Sequence, residues 1–386
     1  MNAMTEIPED DQLLLDSVEK WLERDVRPHV LRLEHADEWP EEMVAQMAEM
    51  GLFGATIPTE YGGLGLSATT YARIVEKIAE TWMSLTGIFN SHLIMAACVT
   101  RVGTEEQKRH YLPKFAAGEL RGGLALTEPD CGTDLQAIRT RAAKQGNGYV
   151  VNGTKTWISN GIHGQCFALL VKTDPEAEPR HKGMSMFIAE KGEGFSVSKK
   201  LEKLGYKGID SAELVFEDYQ IGAENLLGGV EGKGMQAALG GLELGRINIA
   251  ARGCGLASAA LKDSVRYAQE RKTFGKPIGQ HQAIQLKLGE MATKVQAARL
   301  LTYDAARAYD TGERCDMEAG MAKYFASEAA VDNSLEAMRI HGGYGYSKEY
   351  HVERYFRDAP LMCIGEGTNE IQRMIIAKQI MERNPA

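Results

Sequence analysis

A chain of 386 residues, 44% hydrophobic and 25% charged, has the balance of an ordinary folded protein and the length for two or three domains or one large multilayered unit. Its 44 basic and 53 acidic side chains leave a net charge of −9, so nothing pulls it generally toward nucleic acid or an anionic membrane. No uncharged apolar run reaches the roughly 18 residues of a membrane span, and Met1 to Asp16 is acidic rather than arginine-rich; a membrane span, a secretory signal and a transit peptide are not expected, and the expected location is cytoplasmic.

The first 120 residues read as helices. From Asp11 to Arg27, Leu14, Val18, Trp21 and Leu22 recur at helical spacing, and Pro28 is expected to end the run. A second amphipathic run, Pro40 to Met50, stops at Gly51, and Ile57 to Leu66 is a Gly/Pro-rich loop. Helical patterns resume at Thr69–Thr81 and around His92–Arg101.

Near residue 121 the texture changes. Tyr149-Val150-Val151 and Thr154 to Ile158 flank Asn152-Gly153, the strongest hairpin signal in the chain. Cys166–Lys172, Met184–Ala189, Phe195–Ser198 and Ala212–Phe216 add short strands, so 121–229 reads as a small antiparallel sheet domain. Beyond it Leu239, Leu242, Arg246, Ile249, Gly253, Leu256 and Ala260 step by three or four and share one face of a long helix. Further helices are expected at His281–Thr311, at Asp316–Ile340 and just after Gly367. The fold class is therefore α+β, mainly α: an N-terminal helical domain over 1–120, a middle antiparallel β domain over 121–229 and a C-terminal helical bundle over 230–386.

Several chemistries lack their signatures. There is no GxxxxGK[ST], HExxH or GxSxG motif, and Gly63-Leu64-Gly65 and Gly232-Lys233-Gly234 do not follow a strand that opens a βαβ unit, which disfavours a Rossmann nicotinamide site. The nine histidines lack ligand spacing, so no metal is expected. Six cysteines (Cys98, Cys131, Cys166, Cys254, Cys315 and Cys363) lie far apart and read as small thiols in a reducing compartment.

Other segments carry two readings each. Leu126-Thr127-Glu128-Pro129-Asp130-Cys131-Gly132-Thr133-Asp134 is either a plain turn or a set of N–H groups and hydroxyls presented to a planar or phosphate-bearing ligand. Trp157 is either core or a cofactor contact. Arg246 falls on an apolar stripe, where a guanidinium is costly unless paired; it either bonds Glu243 internally or faces a ligand cleft. Glu366, between Gly365 and Gly367 and just before a helix, is either a solvated loop residue or a mobile carboxylate able to approach a substrate.

Taken in order, LTEPDCGTD at 126–134, KTWISNG at 155–161, KLGYKGIDSAELVFED at 203–218, ERKTFGKPIGQHQ at 270–282, GGYGYSKEYHVERYFRDA at 342–359 and EGTNEIQR at 366–373 give the whole chain a resemblance to the acyl-CoA dehydrogenase flavoproteins. The resemblance implies a homotetramer with FAD extended between the β domain and the C-terminal bundle. It implies that Leu126, Thr127, Gly132 and Thr133 line the flavin and the thioester, and that Trp157 and Ser159 pack on the isoalloxazine. Arg271, Thr273, Phe274 and Gln282, with Gly342 and Gly343, would hold the dinucleotide part from the partner subunit. Arg339, Thr368 and Glu370 fall where the family also touches FAD, and Thr133, Glu243, Arg246, Gly365 and Gly367 would line the acyl-CoA.

The implied reaction is α,β-dehydrogenation of a saturated acyl-CoA to the trans-2-enoyl-CoA, as in fatty acid β-oxidation. Glu366 removes the α-proton, the β-hydride passes to flavin N5, and an electron-transferring flavoprotein takes the electrons. The alternatives are an acyl-CoA oxidase or monooxygenase on the same fold, using O₂, and a non-catalytic acyl-CoA-binding homologue. Some members place the base immediately before the residue matching Arg246; here that position is Gly245, so Glu366 has no rival there. Three positions depart from the family pattern. Gly365 replaces a common Tyr, which would widen the acyl pocket; Arg339 stands where Gln is frequent; and Thr81–His92 lacks the Arg of glutaryl-CoA members, which disfavours a decarboxylating enzyme.

Overall fold

The computed structural model describes residues 8–385; the first seven positions of the acidic Met1–Asp16 stretch lie outside them. Helix α1 (Glu9–Trp21) opens on Glu9, Asp10 and Asp11, whose charges oppose the positive end of the helix dipole, and it buries Leu15, Val18 and Trp21. Pro28 does not end the helical path. A π-turn (Leu22–Val26) and a 3₁₀ turn (Arg27–His29) carry it on, because Pro28 sits in the first turn of the new segment, where its missing N–H has no partner to lose. The chain continues into α2 (Val30–Ala36) and α3 (Glu41–Glu49).

The two expected helices at 69–81 and 92–101 are one element, α4 (Ala68–Val102), capped by Ser67 and interrupted at Trp82, whose φ of −153° and ψ of 102° bend it. By length and composition α4 could cross a membrane, yet 83% of its most apolar stretch is buried within this fold, and it serves as a core helix. Helix α5 (Glu105–Ala116) starts on a reciprocal cap between Thr104 and Gln107.

The β domain comprises β1 (Gly122–Ala125), β2 (Arg141–Gln145), β3 (Gly148–Ser159), β4 (Cys166–Lys172), β5 (Met184–Glu190), β6 (Phe195–Lys200) and β7 (Ser211–Gly222). They form one sheet in the order β1-β4-β2-β3-β7-β6, with β5 on β4; most pairs are antiparallel, and β1 and β2 meet β4 in parallel. Asn152-Gly153 is not a hairpin turn. β3 runs through it against β7, from Tyr149 opposite Ile221 to Ser159 opposite Ser211, and the dipeptide makes a bulge instead. The Asn152 side chain explains this choice, since its amide bonds Asp218 on β7 in both directions, at 3.1 and 2.9 Å. The tight turn lies just before, where Gln145 pairs with Gly148.

The C-terminal part holds α6 (Gly234–Glu270), a small ribbon of β8 (Lys272–Thr273) and β9 (Lys276–Pro277), α7 (Gln282–Asp310), α8 (Asp316–His341), α9 (Val352–Ile364) and α10 (Asn369–Arg383). Every residue of α6 from Leu244 to Ala260 is buried, so it is a central rod packed on all sides rather than a helix with one apolar face. Glu34, His35 and Glu353 bring three ligand-type atoms within 4.8 Å, but Arg357 bonds both carboxylates (Glu34 at 2.9 Å, Glu353 at 2.7 Å), which makes the cluster an ion-pair network joining α2 to α9.

Candidate active site

Glu366 lies in the link between α9 and α10. Its φ of 54° is a left-handed conformation that a non-glycine residue adopts only when its surroundings impose it, at a cost of about 1–3 kcal/mol. Both flanks of the link are tied. The buried Lys323 ammonium, from α8, donates to Cys363 O at 3.3 Å and Asn369 Oδ1 at 2.8 Å, and the Gln372 amide donates to Gly367 O at 3.1 Å. Thr368 caps α10 by accepting from the Ile371 N–H. Burial pushes the Lys323 ammonium down to about 8.

The carboxylate points inward between α4 and α6. Oε1 accepts from Asn90 Nδ2 at 3.0 Å, while Oε2 is buried without a partner among the described residues. Oε2 occupies the space over Gly245, where a Cβ would fall 2.0 Å from it. Burial raises the Glu366 carboxyl above the usual carboxylate range, and Arg252, Asn90, Lys323 and Arg246 oppose that rise. Arg246 does not pair with Glu243. Glu243 bonds Arg101 at 3.4 Å, and that guanidinium also holds Tyr309 Oη at 2.8 Å, while the buried Nε of Arg246 has no partner among the described residues. The internal Arg246–Glu243 pair is therefore absent, and the Arg246 charge acts on both Glu366 and Asp316.

The edge of the β domain that meets α4 is built around a buried ion pair. Lys155 Nζ reaches Glu128 Oε1 at 2.8 Å and Leu126 O at 2.9 Å, and the Glu128 carboxylate also takes the Arg139 and Thr140 N–H groups. Thr156 N donates to Thr127 O at 2.9 Å. A second bulge, between Lys155 and Ile158, gives Trp157 a φ of 61° and leaves the residue 58% exposed, so Trp157 is not core. Asn160 closes the edge onto α4 by donating to Ile88 O at 2.8 Å and Gly122 O at 2.9 Å. Ile88 is two residues from Asn90. Thr127, Trp157 and Ser159 thus belong to one edge and lie a short way along α4 from Glu366; Gly132 and Thr133 sit on the exposed loop beside them.

Arg271, Thr273, Gly342 and Gly343 come together elsewhere, lining a cavity of about 580 Å³ with Tyr267 and His341. Phe274 is 96% exposed and Gln282 is exposed at the start of α7. Arg339 bonds Glu336 on the surface of α8, and Glu370 bonds Arg373 at 3.0 Å.

Three family models match in succession: the acyl-CoA dehydrogenase N-terminal domain over residues 8–119, the middle domain over 123–219 and the C-terminal domain over 232–381. The chain belongs to the acyl-CoA dehydrogenase family. It is 40% identical over 377 residues to an acyl-CoA dehydrogenase of Bacillus subtilis, covering 97% of this chain and 99% of that protein. Among solved structures it is similar to butyryl-CoA dehydrogenase from Megasphaera elsdenii, with TM-score 0.94 and 35% identity over 98% of this chain and 99% of that one. It is also similar to a chain described with the electron transferring flavoprotein of Acidaminococcus fermentans, with TM-score 0.95 and 37% identity over 99% and 100% of the two chains.

As an acyl-CoA dehydrogenase the protein is an oxidoreductase of the CH–CH group and an FAD flavoprotein. Its residues suit that cofactor. An exposed indole beside Ser159 offers a flat apolar surface to a ring system, and a cavity with one guanidinium, two aliphatic hydroxyl residues, one carboxylate (Glu349) and two glycines, neither of whose Cβ positions meets anything within 4 Å, has room and donors for a dinucleotide. Sequence reasoning missed Asn90, Tyr71, Asn248 and Arg252. The available signal was weak: Asn90 interrupts the apolar run Gly87-Ile88-Phe89, and Asn248 and Arg252 continue the Gly245 face at three and seven residues.

Proposed function

We propose that this acyl-CoA dehydrogenase converts a saturated acyl-CoA to the trans-2-enoyl-CoA with Glu366 as the base that removes the α-proton. The observation that carries the reading is the buried, unpaired Oε2 of a carboxylate held at its other oxygen, in a site that raises its proton affinity. An ordinary carboxylate near pKa 4.3 is a poor match for a carbon acid, and burial improves the match. The Glu366 N–H makes no hydrogen bond among the described residues and can donate to the thioester oxygen, where charge develops as the proton leaves. FAD supplies the two-electron acceptor for the β-hydride. Arg252 and Arg246 oppose the rise in proton affinity that burial imposes on Glu366.

An electron-transferring flavoprotein as acceptor is part of this proposal, supported by the likeness to the Acidaminococcus chain. A homotetramer is supported by large apolar side chains left exposed in the C-terminal part, among them Phe274, Leu286, Leu300, Tyr346 and Met374. Six free cysteines support a reducing, cytoplasmic setting. The test is anaerobic addition of saturated acyl-CoAs of graded length to the yellow holoenzyme. Bleaching by at least one of them supports the reading. Bleaching by none, or turnover in air that consumes O₂ without another acceptor, contradicts it.

A further inference from the structure

We infer that Asn90, oriented by Tyr71 and Asn248, is a positioning residue that decides which oxygen of Glu366 receives the proton. The inference rests on Glu366 being the base. Asn248 Nδ2 donates to Tyr71 Oη at 2.8 Å, Tyr71 Oη donates to Asn90 Oδ1 at 2.9 Å, and Asn90 Nδ2 donates to Glu366 Oε1 at 3.0 Å. All three relay side chains are buried, with Asn248 on α6 and the other two on α4. Every donor points toward the carboxylate, so each bond polarises the next.

Direction is what the relay contributes. An amide has a donor end and an acceptor end, and its own shape does not fix which one faces Glu366. The Tyr71 hydroxyl fixes it for as long as Asn248 presents its Nδ2, the Asn248 Oδ1 being buried without a partner among the described residues. The hydroxyl oxygen accepts from Asn248, its proton goes to Asn90 Oδ1, and the NH₂ end is left for Glu366. An N–H at Oε1 favours the carboxylate and occupies that oxygen, which leaves Oε2, over Gly245, to take the proton. Without the hydroxyl Asn90 can turn and set its Oδ1 against Oε1, an arrangement that only a protonated carboxyl satisfies. The other charged or titratable groups facing Glu366 are Arg246 and Arg252 from α6, Lys323 from α8 and Tyr206 from the segment before β7. Removing the Tyr71 hydroxyl leaves all four in place.

The experiment uses the FAD-loaded Tyr71→Phe enzyme with a saturated acyl-CoA and a dye acceptor, recording kcat/KM from about pH 5.5 to about pH 9. The acid limb is expected to move up by about one pH unit, a roughly tenfold loss on the acid side that disappears toward the alkaline plateau. Bound FAD is expected to stay at the starting protein's value, while the unfolding temperature falls by a few degrees because the buried Asn248 amide loses its partner. A uniform loss at all pH values with the limb unmoved is what a merely structural Tyr71 would give, and it overturns the proposal. Asn90→Asp sets a second carboxylate beside Glu366 and is expected to move the limb further in the same direction; an unmoved limb there also overturns it. Asn248→Leu, expected to give a smaller shift of the same sign, stands in if Tyr71→Phe does not fold. Glu366→Gln is measured alongside. Activity in that variant removes the base assignment itself, whereas an inactive Glu366→Gln with unmoved limbs elsewhere removes the relay alone.

Discussion

Replacing Gly245 by Ala should separate stability from activity. The added Cβ would lie 2.0 Å from Glu366 Oε2 and 3.0 Å from Ile94 Cδ1, both of them far ends of flexible side chains, so the helix itself need not shift. Gly245 is in the interior of α6, where Ala is intrinsically better than Gly by up to about 1 kcal/mol. Folding should therefore be unharmed or slightly improved. The carboxylate, however, must retreat by about 1.4 Å to recover an ordinary 3.4 Å contact, and a displacement of about 1 Å in a reacting group costs on the order of 10²-fold in rate. The expected result is an unfolding temperature at or above that of the starting protein with kcat lower by about 10²-fold, followed by dye reduction at saturating acyl-CoA. A variant as active as the starting enzyme would refute the placement of Oε2 over Gly245.

Two other changes probe the surroundings of that carboxylate. Lys155→Met strands Glu128 in the β domain and frees the Leu126 carbonyl; a loss of about 3–5 kcal/mol by denaturant titration is expected, with lower FAD content, and unchanged values for both would show that the pair does not hold the 126–128 segment. Gly365→Tyr is compatible with the local backbone, whose φ is −69° and whose Cβ position meets only Leu361 O at 3.4 Å. If Gly365 widens the acyl pocket, kcat/KM for long or branched acyl-CoAs should fall at least about tenfold relative to short ones, and an unchanged preference would remove the idea.

The order of helices, sheet and helices is legible because hydrophobic periodicity changes near residues 121 and 229, and long helices announce themselves by spacing alone. Local signals mislead where a distant partner decides. Asn152-Gly153 has the chemistry of a turn, yet Asp218, 66 residues away, binds the Asn152 side chain and keeps the strand running. Pro28 reads as a stop because its place in a new first turn depends on the π-turn before it. Helix α9 is hidden by Pro360 inside it and glycine-rich flanks. In the site, Glu366 is visible because a carboxylate between two glycines is unusual in itself and falls in a recognisable motif. Asn90 is not, because its role comes from a contact across 276 residues. Arg246 shows the same limit: a polar residue on an apolar stripe signals a function, but whether Glu243 or the interior receives it is settled only by packing.

The most direct measurement is turnover by Glu366→Gln, which keeps the shape of the side chain and removes its ability to accept a proton. Bound FAD and acyl-CoA affinity should match the starting enzyme, while kcat falls by about 10²- to 10⁴-fold. Turnover close to that of the starting enzyme would contradict the assignment of Glu366 as the group that takes the α-proton.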